Sequence, residues 1–197
     1  MAALTLFILS LLVSTTIAIE DFQSTQCTDK EERPAFQALP LQLNADRKQF
    51  YFHVYFHEIF TGPNSTTTTA VSPNSDFPNF GEIGIMDVPL WGHLNQTNLI
   101  ARFQGAAIQS DQKTFGWHLS FNIEFVLPAL KGSTLMGMGR ALQLTTPREF
   151  AIVGGTGVFS LATGQMYGRR LSFPDENELW IEFKIVGYYT PMKKPDW

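Results

Sequence analysis

The stretch Ile152-Val153-Gly154-Gly155-Thr156-Gly157-Val158-Phe159 decides the fold, because three glycines interrupt an apolar, strand-like run. A glycine-rich loop that binds phosphate needs a helix directly after it, whose N-terminal N–H groups face the anion. No helical spacing of apolar residues follows here, since Phe159-Ser160-Leu161-Ala162 continues like a strand. We therefore predict a tight turn between two β-strands, with glycines that adopt positive φ angles.

A two-residue period of apolar side chains recurs along most of the remaining chain. Alternation of this kind places every second residue on one face of a β-strand. The clearest rows are Phe115–Leu127 and, in the first predicted strand, Phe50, Phe52, Val54 and Phe56. Short segments, turns of Gly, Pro and Asn, and the lack of a convincing amphipathic helix predict eight or nine antiparallel strands. Closure into a barrel around a small ligand is the favoured arrangement, and a β-sandwich is the alternative.

Composition argues against some partners. The 14 Lys and Arg residues are outnumbered by 18 Asp and Glu residues, which leaves a net charge of −4 without a basic stripe. Nucleic acid is therefore not an expected partner. A charged fraction of 16% together with 17 phenylalanines suits a compact β-rich domain and argues against disorder.

The first 18 residues have the features of a secretory signal peptide. Leu4–Val13 is apolar but too short to span a bilayer, and Thr16-Ile17-Ala18 offers small residues for cleavage. An N-terminal membrane anchor is the alternative. We expect a secreted protein that is not held at a membrane, with residues 19–48 as an extended arm and 49–197 as the folded domain.

Two features bear on the covalent chemistry of a secreted chain. Cys27 is the only cysteine, so no intrachain disulfide can form, and we expect an unpaired thiol rather than an intermolecular link. The triplets that begin at Asn64 and Asn95 match the acceptor pattern for N-glycans, which predicts a glycoprotein with surface loops at both positions.

Five segments carry a family resemblance. They are Tyr55-Phe56-His57-Glu58-Ile59, Phe80-Gly81 with Met86-Asp87-Val88-Pro89-Leu90, Ala101-Arg102-Phe103-Gln104-Gly105, Lys131-Gly132-Ser133-Thr134-Leu135, and Arg148-Glu149-Phe150-Ala151 leading into the glycine stretch. In this order, over residues 49–189, they resemble the motifs of the plant dirigent proteins.

The resemblance implies an eight-stranded antiparallel β-barrel with a central ligand cavity, assembled as a homotrimer in the apoplast. It also implies stereoselective coupling of phenoxy radicals, as in lignan biosynthesis, with a laccase or peroxidase as the separate radical source. Some members instead convert quinone-methide phenylpropanoids by ring closure or dehydration. No metal or redox cofactor is implied for either activity. A non-catalytic cell-wall or defence module that binds phenolics or sugars is the alternative function.

Glu58 is the main candidate for acid–base chemistry. It continues the row of Phe52, Val54 and Phe56, so its carboxyl would lie beside apolar surface, where desolvation raises the pKa. The resemblance implies a cavity carboxyl here, with glutamate in place of the family's aspartate. The alternative is a glutamate at the strand end that faces water.

Arg148 and Asp87 complete the predicted site. By resemblance Arg148 is a cavity residue, and its guanidinium could hydrogen-bond a phenol or quinone oxygen. A surface salt bridge, for instance with Glu149, is the alternative. Asp87 matches a strand-end aspartate and is either a second cavity carboxyl or a turn-capping residue. Arg102 and Gln104 share a face and are expected to make structural hydrogen bonds inside the barrel or at a trimer contact.

This chain departs from the lignan-forming members in ways that affect the predicted cavity. Ala141 stands where those members carry a carboxylate, and no tyrosine follows the segment that ends at Gly105. Ile181 is the nearest match to an aromatic residue of their last strand. We therefore expect a less acidic cavity of different shape, and the pattern does not favour formation of pinoresinol.

Overall fold

Nine β-strands and one turn of 3₁₀ helix make up the described part of the chain. The computed structural model describes residues 47–73, 79–142, 147–171 and 176–192. The elements are β1 (Lys48–Ile59), β2 (Thr67–Val71), β3 (Ile83–Trp91), β4 (Leu99–Gln109), β5 (Gly116–Phe125), β6 (Thr134–Leu142), β7 (Arg148–Thr156), the 3₁₀ helix (Gly157–Phe159), β8 (Thr163–Leu171) and β9 (Glu178–Tyr189). In these ranges no helix is long and apolar enough to cross a membrane.

Eight of the strands close into an antiparallel barrel, which confirms the predicted fold class. The neighbours run β1-β9-β8-β7-β6-β5-β4-β3, and β1 pairs with β3 to complete the ring. That closing contact is short, since it aligns only Tyr55 with Trp91 and Phe56 with Leu90. Beyond it, β2 takes over the same edge of β3 and aligns Thr67 with Met86. The strand β2 therefore extends the wall of the barrel at the end where β1 stops.

Alternation along each strand fills the barrel interior with apolar rings. Phe103 stacks on Phe121 with ring centres 4.3 Å apart, and Phe56 meets Phe103 edge-on at 5.3 Å. A second group of touching rings closes the end where β1 begins; its members are Phe50, Phe52, Phe125, Phe159 and Tyr189. Aromatic pairs in these geometries add stability beyond their buried area. One end of the barrel is thus a solid core.

The glycine stretch differs in detail from the prediction. Strand β7 runs on through Gly154 and Gly155 to Thr156, and Gly157 is the residue that adopts a positive φ, of 62°. A Cβ atom at Gly155 would lie 2.4 Å from the carbonyl oxygen of Phe159, so that position is glycine because the backbones approach closely. Gly157–Phe159 forms a 3₁₀ turn, and β8 begins only at Thr163, so the predicted continuation of a strand through residues 159–162 is wrong.

Several sequence predictions concern the N-terminal segment and the two glycosylation sites. The signal peptide, Cys27 and almost all of the predicted arm lie outside the described residues. Asn64 and Asn95 are described, and both are exposed in turns. The hydroxyl of Thr97 donates a hydrogen bond to Oδ1 of Asn95 over 2.7 Å. Glycosylation at these two positions stays a prediction.

Candidate functional site

A pocket of about 540 Å³ opens at the end of the barrel opposite the group of touching rings around Phe50 and Phe159. This volume lies in the range typical of small-molecule sites. Its walls come from the ends of β1, β4, β6 and β8 and the starts of β2, β3, β5, β7 and β9. The side chains that matter for chemistry are Glu58, Thr67, Arg148, Arg170, Glu82 and Glu176. The cavity thus lies at one mouth of the barrel.

Glu58 occupies the last inward position of β1. It is 7% exposed, at the mouth end of the row that begins with Phe50. Burial raises the pKa of Glu58 from its ordinary 4.5 to about 7, while a hydrogen bond with Thr67 and the positive charge of Arg148 hold that rise back. Burial therefore favours the protonated form of Glu58 near neutral pH, where an exposed glutamate is ionised, and the protonated form can act as an acid.

Thr67 links the carboxyl to the wall of the barrel. Its hydroxyl interacts with Glu58 and lies 3.1 Å from the carbonyl oxygen of Ile85. A threonine hydroxyl has one proton to donate. When Glu58 is protonated it can donate to Thr67, which in turn donates to Ile85. When Glu58 is ionised, its carboxylate and the carbonyl oxygen of Ile85 compete for the single proton of the Thr67 hydroxyl. This chain of hydrogen bonds holds the acid at a fixed place at the pocket wall.

Arg148 reaches the same pocket from the start of β7. It lies in the inward row with Phe150 and Ile152, both of which are buried. Burial, followed by repulsion from Arg170, lowers the pKa of Arg148, and the charge of Glu58 raises it. Arginine stays charged despite such shifts. The pocket therefore holds a fixed positive charge beside a carboxyl that titrates near neutrality.

The rest of the wall is largely apolar and includes flat rings. Trp117 and Leu119 come from β5, Met86 from β3, and Leu179 from β9. Ala141, also at the wall, is small enough to leave open space where β6 ends. Aromatic surface around a few fixed polar groups is typical of sites for flat organic ligands. The pocket can hold a phenolic ring, protonate an oxygen with Glu58 and stabilise a phenolate with Arg148.

Asp87 does not reach the pocket, which corrects the expectation of a second cavity carboxyl. Its neighbours Met86 and Val88 point into the barrel, so Asp87 points outward and is half exposed. Nε of Arg102 donates a hydrogen bond to Oδ1 of Asp87 over 2.7 Å. Arg102 and Gln104 therefore lie on the outer face, and the option that they bond inside the barrel is wrong.

Sequence reasoning missed Thr67, Arg170 and Glu176 as pocket residues. Arg170 carried a weak signal, because alternation along β8 puts it in the inward row with Met166 and Gly168. Thr67 and Glu176 carried none, since the strand pairing alone brings them to the mouth. Across the described ranges, no three histidine, cysteine or acidic side chains are grouped so as to hold a metal ion.

The described residues thus form a closed antiparallel barrel with one end filled by aromatic rings and a mouth that holds an acid, a guanidinium and aromatic walls. The family model described as Dirigent-like protein matches residues 50–186. This chain belongs to the dirigent protein family.

Named relatives cover most of the chain. It is 34% identical over 163 residues to Dirigent protein 11 of Arabidopsis thaliana, which covers 81% of each chain. It is also 34% identical to Pterocarpan synthase 1 of Glycyrrhiza echinata, over 76% of this chain and 84% of that one. A solved pterocarpan synthase dirigent protein superposes with a TM-score of 0.69 and 28% identity, covering 74% of this chain and 93% of the other. A second gives a TM-score of 0.67 and 30% identity, with 74% and 97% covered.

Proposed function

We propose that this protein is a dirigent-type catalyst that converts phenolic alcohols through quinone-methide intermediates and controls the stereochemistry of the product. The observation that carries the proposal is the pairing of a buried glutamate, with a pKa of about 7, and a charged arginine in one pocket that also has aromatic walls. Pterocarpan synthases among the similar proteins support an activity of this kind. Catalysis here is acid–base chemistry combined with positioning of the ligand.

The first step is loss of water. Protonated Glu58 donates its proton to a benzylic hydroxyl of the substrate, the C–O bond breaks, and water leaves. The phenol oxygen on the same ring, held by Arg148, releases its proton to water and supplies the electron pair that forms the quinone methide. The positive charge of Arg148 stabilises the negative charge that develops on this oxygen.

The second step closes the ring or adds another oxygen nucleophile. A phenol oxygen of the substrate attacks the exocyclic carbon of the quinone methide, and its proton passes to the Glu58 carboxylate. The quinone-methide oxygen regains a proton from water and becomes a phenol again. The net change is the loss of one water molecule, and Glu58 ends protonated as it began. The shape of the pocket decides which face of the intermediate is attacked.

Stereoselective coupling of phenoxy radicals is the second candidate. It is favoured by the ring-lined wall of Trp117 and Phe115, which can hold a flat radical without any proton transfer. A laccase or peroxidase would be the required partner, since the radical needs a one-electron oxidant. In this case Glu58 and Arg148 would bind the phenol oxygens and orient the two rings.

We also propose that the protein is secreted to the apoplast and works as a homotrimer. Secretion rests on the apolar leader and the exposed sequons. For the trimer contact, neighbouring outward positions of β6 and β7 expose apolar side chains, with Met136 at 38%, Met138 at 42% and Val153 at 51%. An exposed apolar patch of this kind is typical of a protein interface.

The proposal is tested with purified protein and two substrates. A racemic phenolic benzylic alcohol that carries a second phenol tests ring closure, and coniferyl alcohol with a one-electron oxidase tests radical coupling. Chiral chromatography follows both reactions. We expect faster loss of water and an excess of one enantiomer in the first reaction. Selectivity in the second reaction alone would replace the proposal by the radical candidate. Racemic products at the uncatalysed rate in both reactions would contradict both catalytic functions and favour a non-catalytic module that binds phenolics or sugars.

A further inference from the structure

A groove of about 590 Å³ lies on the outer face of β1, β9 and β8, near the plugged end of the barrel. We call it the tyrosine groove. Its outward side chains are Gln49, Tyr51, Thr163, Gln165, Tyr167, Val186 and Tyr188. Tyr51 and the pocket residue Glu58 are separated by about 23 Å along β1, at roughly 3.3 Å per residue. The groove is therefore a second site, outside the barrel and away from the acid.

Strand pairing gives the groove its shape. Val186 in β9 lies between Tyr51 of β1 and Gln165 of β8, so a short side chain forms the floor between longer ones. Two residues further along β9, Tyr188 lies between Gln49 and Thr163. Rings and amides therefore stand on both sides of a shallow channel.

Hydrogen bonds hold the groove side chains in place. Nε2 of Gln49 donates to the hydroxyl of Tyr188 over 3.0 Å, and Tyr167 donates to Oε1 of Gln165. Arg47 places its guanidinium 5.3 Å from the centre of the Tyr188 ring and donates to the Thr163 hydroxyl. Side chains that are already oriented lose less conformational entropy when a ligand binds.

The lining chemistry selects the class of ligand. Tyr51 is 58% exposed and Tyr188 is 44% exposed, so both rings present surface to a ligand, with Arg47 over one face of Tyr188. Amide and hydroxyl groups next to them donate and accept hydrogen bonds. The described residues that line the groove include no acid, lysine or arginine, and the guanidinium of Arg47 at its edge is already engaged by Thr163 and the Tyr188 ring.

A pyranose ring has the matching surface. One face carries C–H bonds, which pack on the electron-rich face of an aromatic ring, and its edge carries hydroxyls that pair with amides. We propose that the tyrosine groove binds a neutral polysaccharide and accommodates about two sugar rings. This would fix the protein to a carbohydrate matrix while the pocket at the other end stays open to its phenolic ligand.

A second copy of the chain fits the groove less well. Amides, a threonine and tyrosine hydroxyls interrupt its apolar surface, and the outward methionines of β6 and β7 offer a more apolar contact. A free phenol has a single ring and would cover only one of the exposed tyrosines of the groove. The combination of exposed rings with uncharged amide and hydroxyl groups therefore favours the sugar.

Calorimetric titration of the full protein tests the site. The probes are neutral hexasaccharides (cellohexaose, xylohexaose and mannohexaose), an acidic hexagalacturonate and coniferyl alcohol. We expect at least one neutral hexasaccharide to bind with a dissociation constant of about 0.1 to 1 mM. The double change Tyr51→Ala/Tyr188→Ala should weaken it by about tenfold or more. Both rings are exposed, so the single Tyr51→Ala variant should keep the fold and weaken binding in the same direction.

The matched control is Tyr55→Ala. Tyr55 lies on the same strand and the same outer face, next to His53, but does not line the groove. It should leave hexasaccharide affinity unchanged. The proposal is overturned if no neutral hexasaccharide binds, if only hexagalacturonate binds, or if affinity survives the double change. Displacement of the sugar by coniferyl alcohol, or a dimer that Tyr51→Ala dissociates, would also overturn it. None of these outcomes depends on activity in the pocket.

Discussion

Replacing Glu58 with glutamine is expected to slow the loss of water from a phenolic benzylic alcohol by about 100- to 10,000-fold, the usual contribution of a positioned general acid. Glutamine keeps the size of the side chain but has no acidic proton, so substrate binding should survive. In the proposed mechanism the active form of Glu58 is the protonated one. With a pKa of about 7 for Glu58, turnover should fall as the pH rises through neutrality. Initial rates against pH measure both effects.

Asp87→Asn is the matched control for this change. It removes a carboxyl that the sequence also suggested, but one that the structure places outside the barrel in an ion pair with Arg102. Its rate and pH profile should match those of the unmodified protein. A Glu58→Gln variant with an unchanged rate, or a larger loss in Asp87→Asn, would contradict the assignment of the acid.

The same Glu58→Gln change should affect stability in a way that depends on pH. The folded protein holds the proton of Glu58 up to about pH 7, and the unfolded chain releases it near 4.5, so the free energy of unfolding falls as the pH rises between these values. The loss is about 3 kcal/mol. Urea unfolding should therefore find the variant more stable by up to about 3 kcal/mol at about pH 8, and close to the unmodified protein at about pH 4.

Replacing Arg148 with leucine is expected to produce the second large effect. The change removes the group proposed to stabilise negative charge on the substrate oxygen, and loss of such a group typically costs about 100- to 1,000-fold in rate. It also removes a positive charge that favours the ionised form of Glu58. The pKa of Glu58 should then rise further, and the fall in rate should move to higher pH. Steady-state rates across the pH range report both changes.

Two further variants separate charge from geometry at this position. Arg148→Lys keeps the positive charge, so the pH profile should stay near that of the unmodified protein, while the rate falls because an ammonium cannot make two parallel hydrogen bonds. Arg169→Gln is the control. Arg169 lies next to Arg170 in β8 but points outward and pairs with Glu182. An Arg148→Leu profile that does not move would show that the guanidinium does not act on Glu58.

Much of the fold follows from alternation alone. The rows that begin at Phe50 in β1 and at Trp117 in β5 point into the barrel as predicted. The ends of β7 and β8 did not follow, because glycines can continue a strand or leave it with equal ease. At Gly155 the close approach of the Phe159 backbone requires a residue without a side chain, and that contact depends on how the strands pair.

The site could be predicted in part, and the same alternation explains the error. Glu58 continues an apolar row, and Arg148 shares a row with Phe150, so both enter the pocket. Asp87 lies between the buried Met86 and Val88, so the period of two already placed it outside. The expectation of a cavity carboxyl at Asp87 rested on the motif resemblance and not on this period. Thr67 and Arg170 line the same pocket only because the barrel closes, which single-strand patterns do not show.

The most direct measurement is the titration of the Glu58 carboxyl itself. Carbon-13 NMR of protein labelled at the glutamate carboxyl carbons, with Glu58→Gln used to assign the signal, follows its protonation across the pH range. The account predicts a midpoint near pH 7. A midpoint near 4.5, the ordinary value for an exposed glutamate, would show that the pocket holds a carboxylate at neutral pH and has no acid to offer a phenolic substrate.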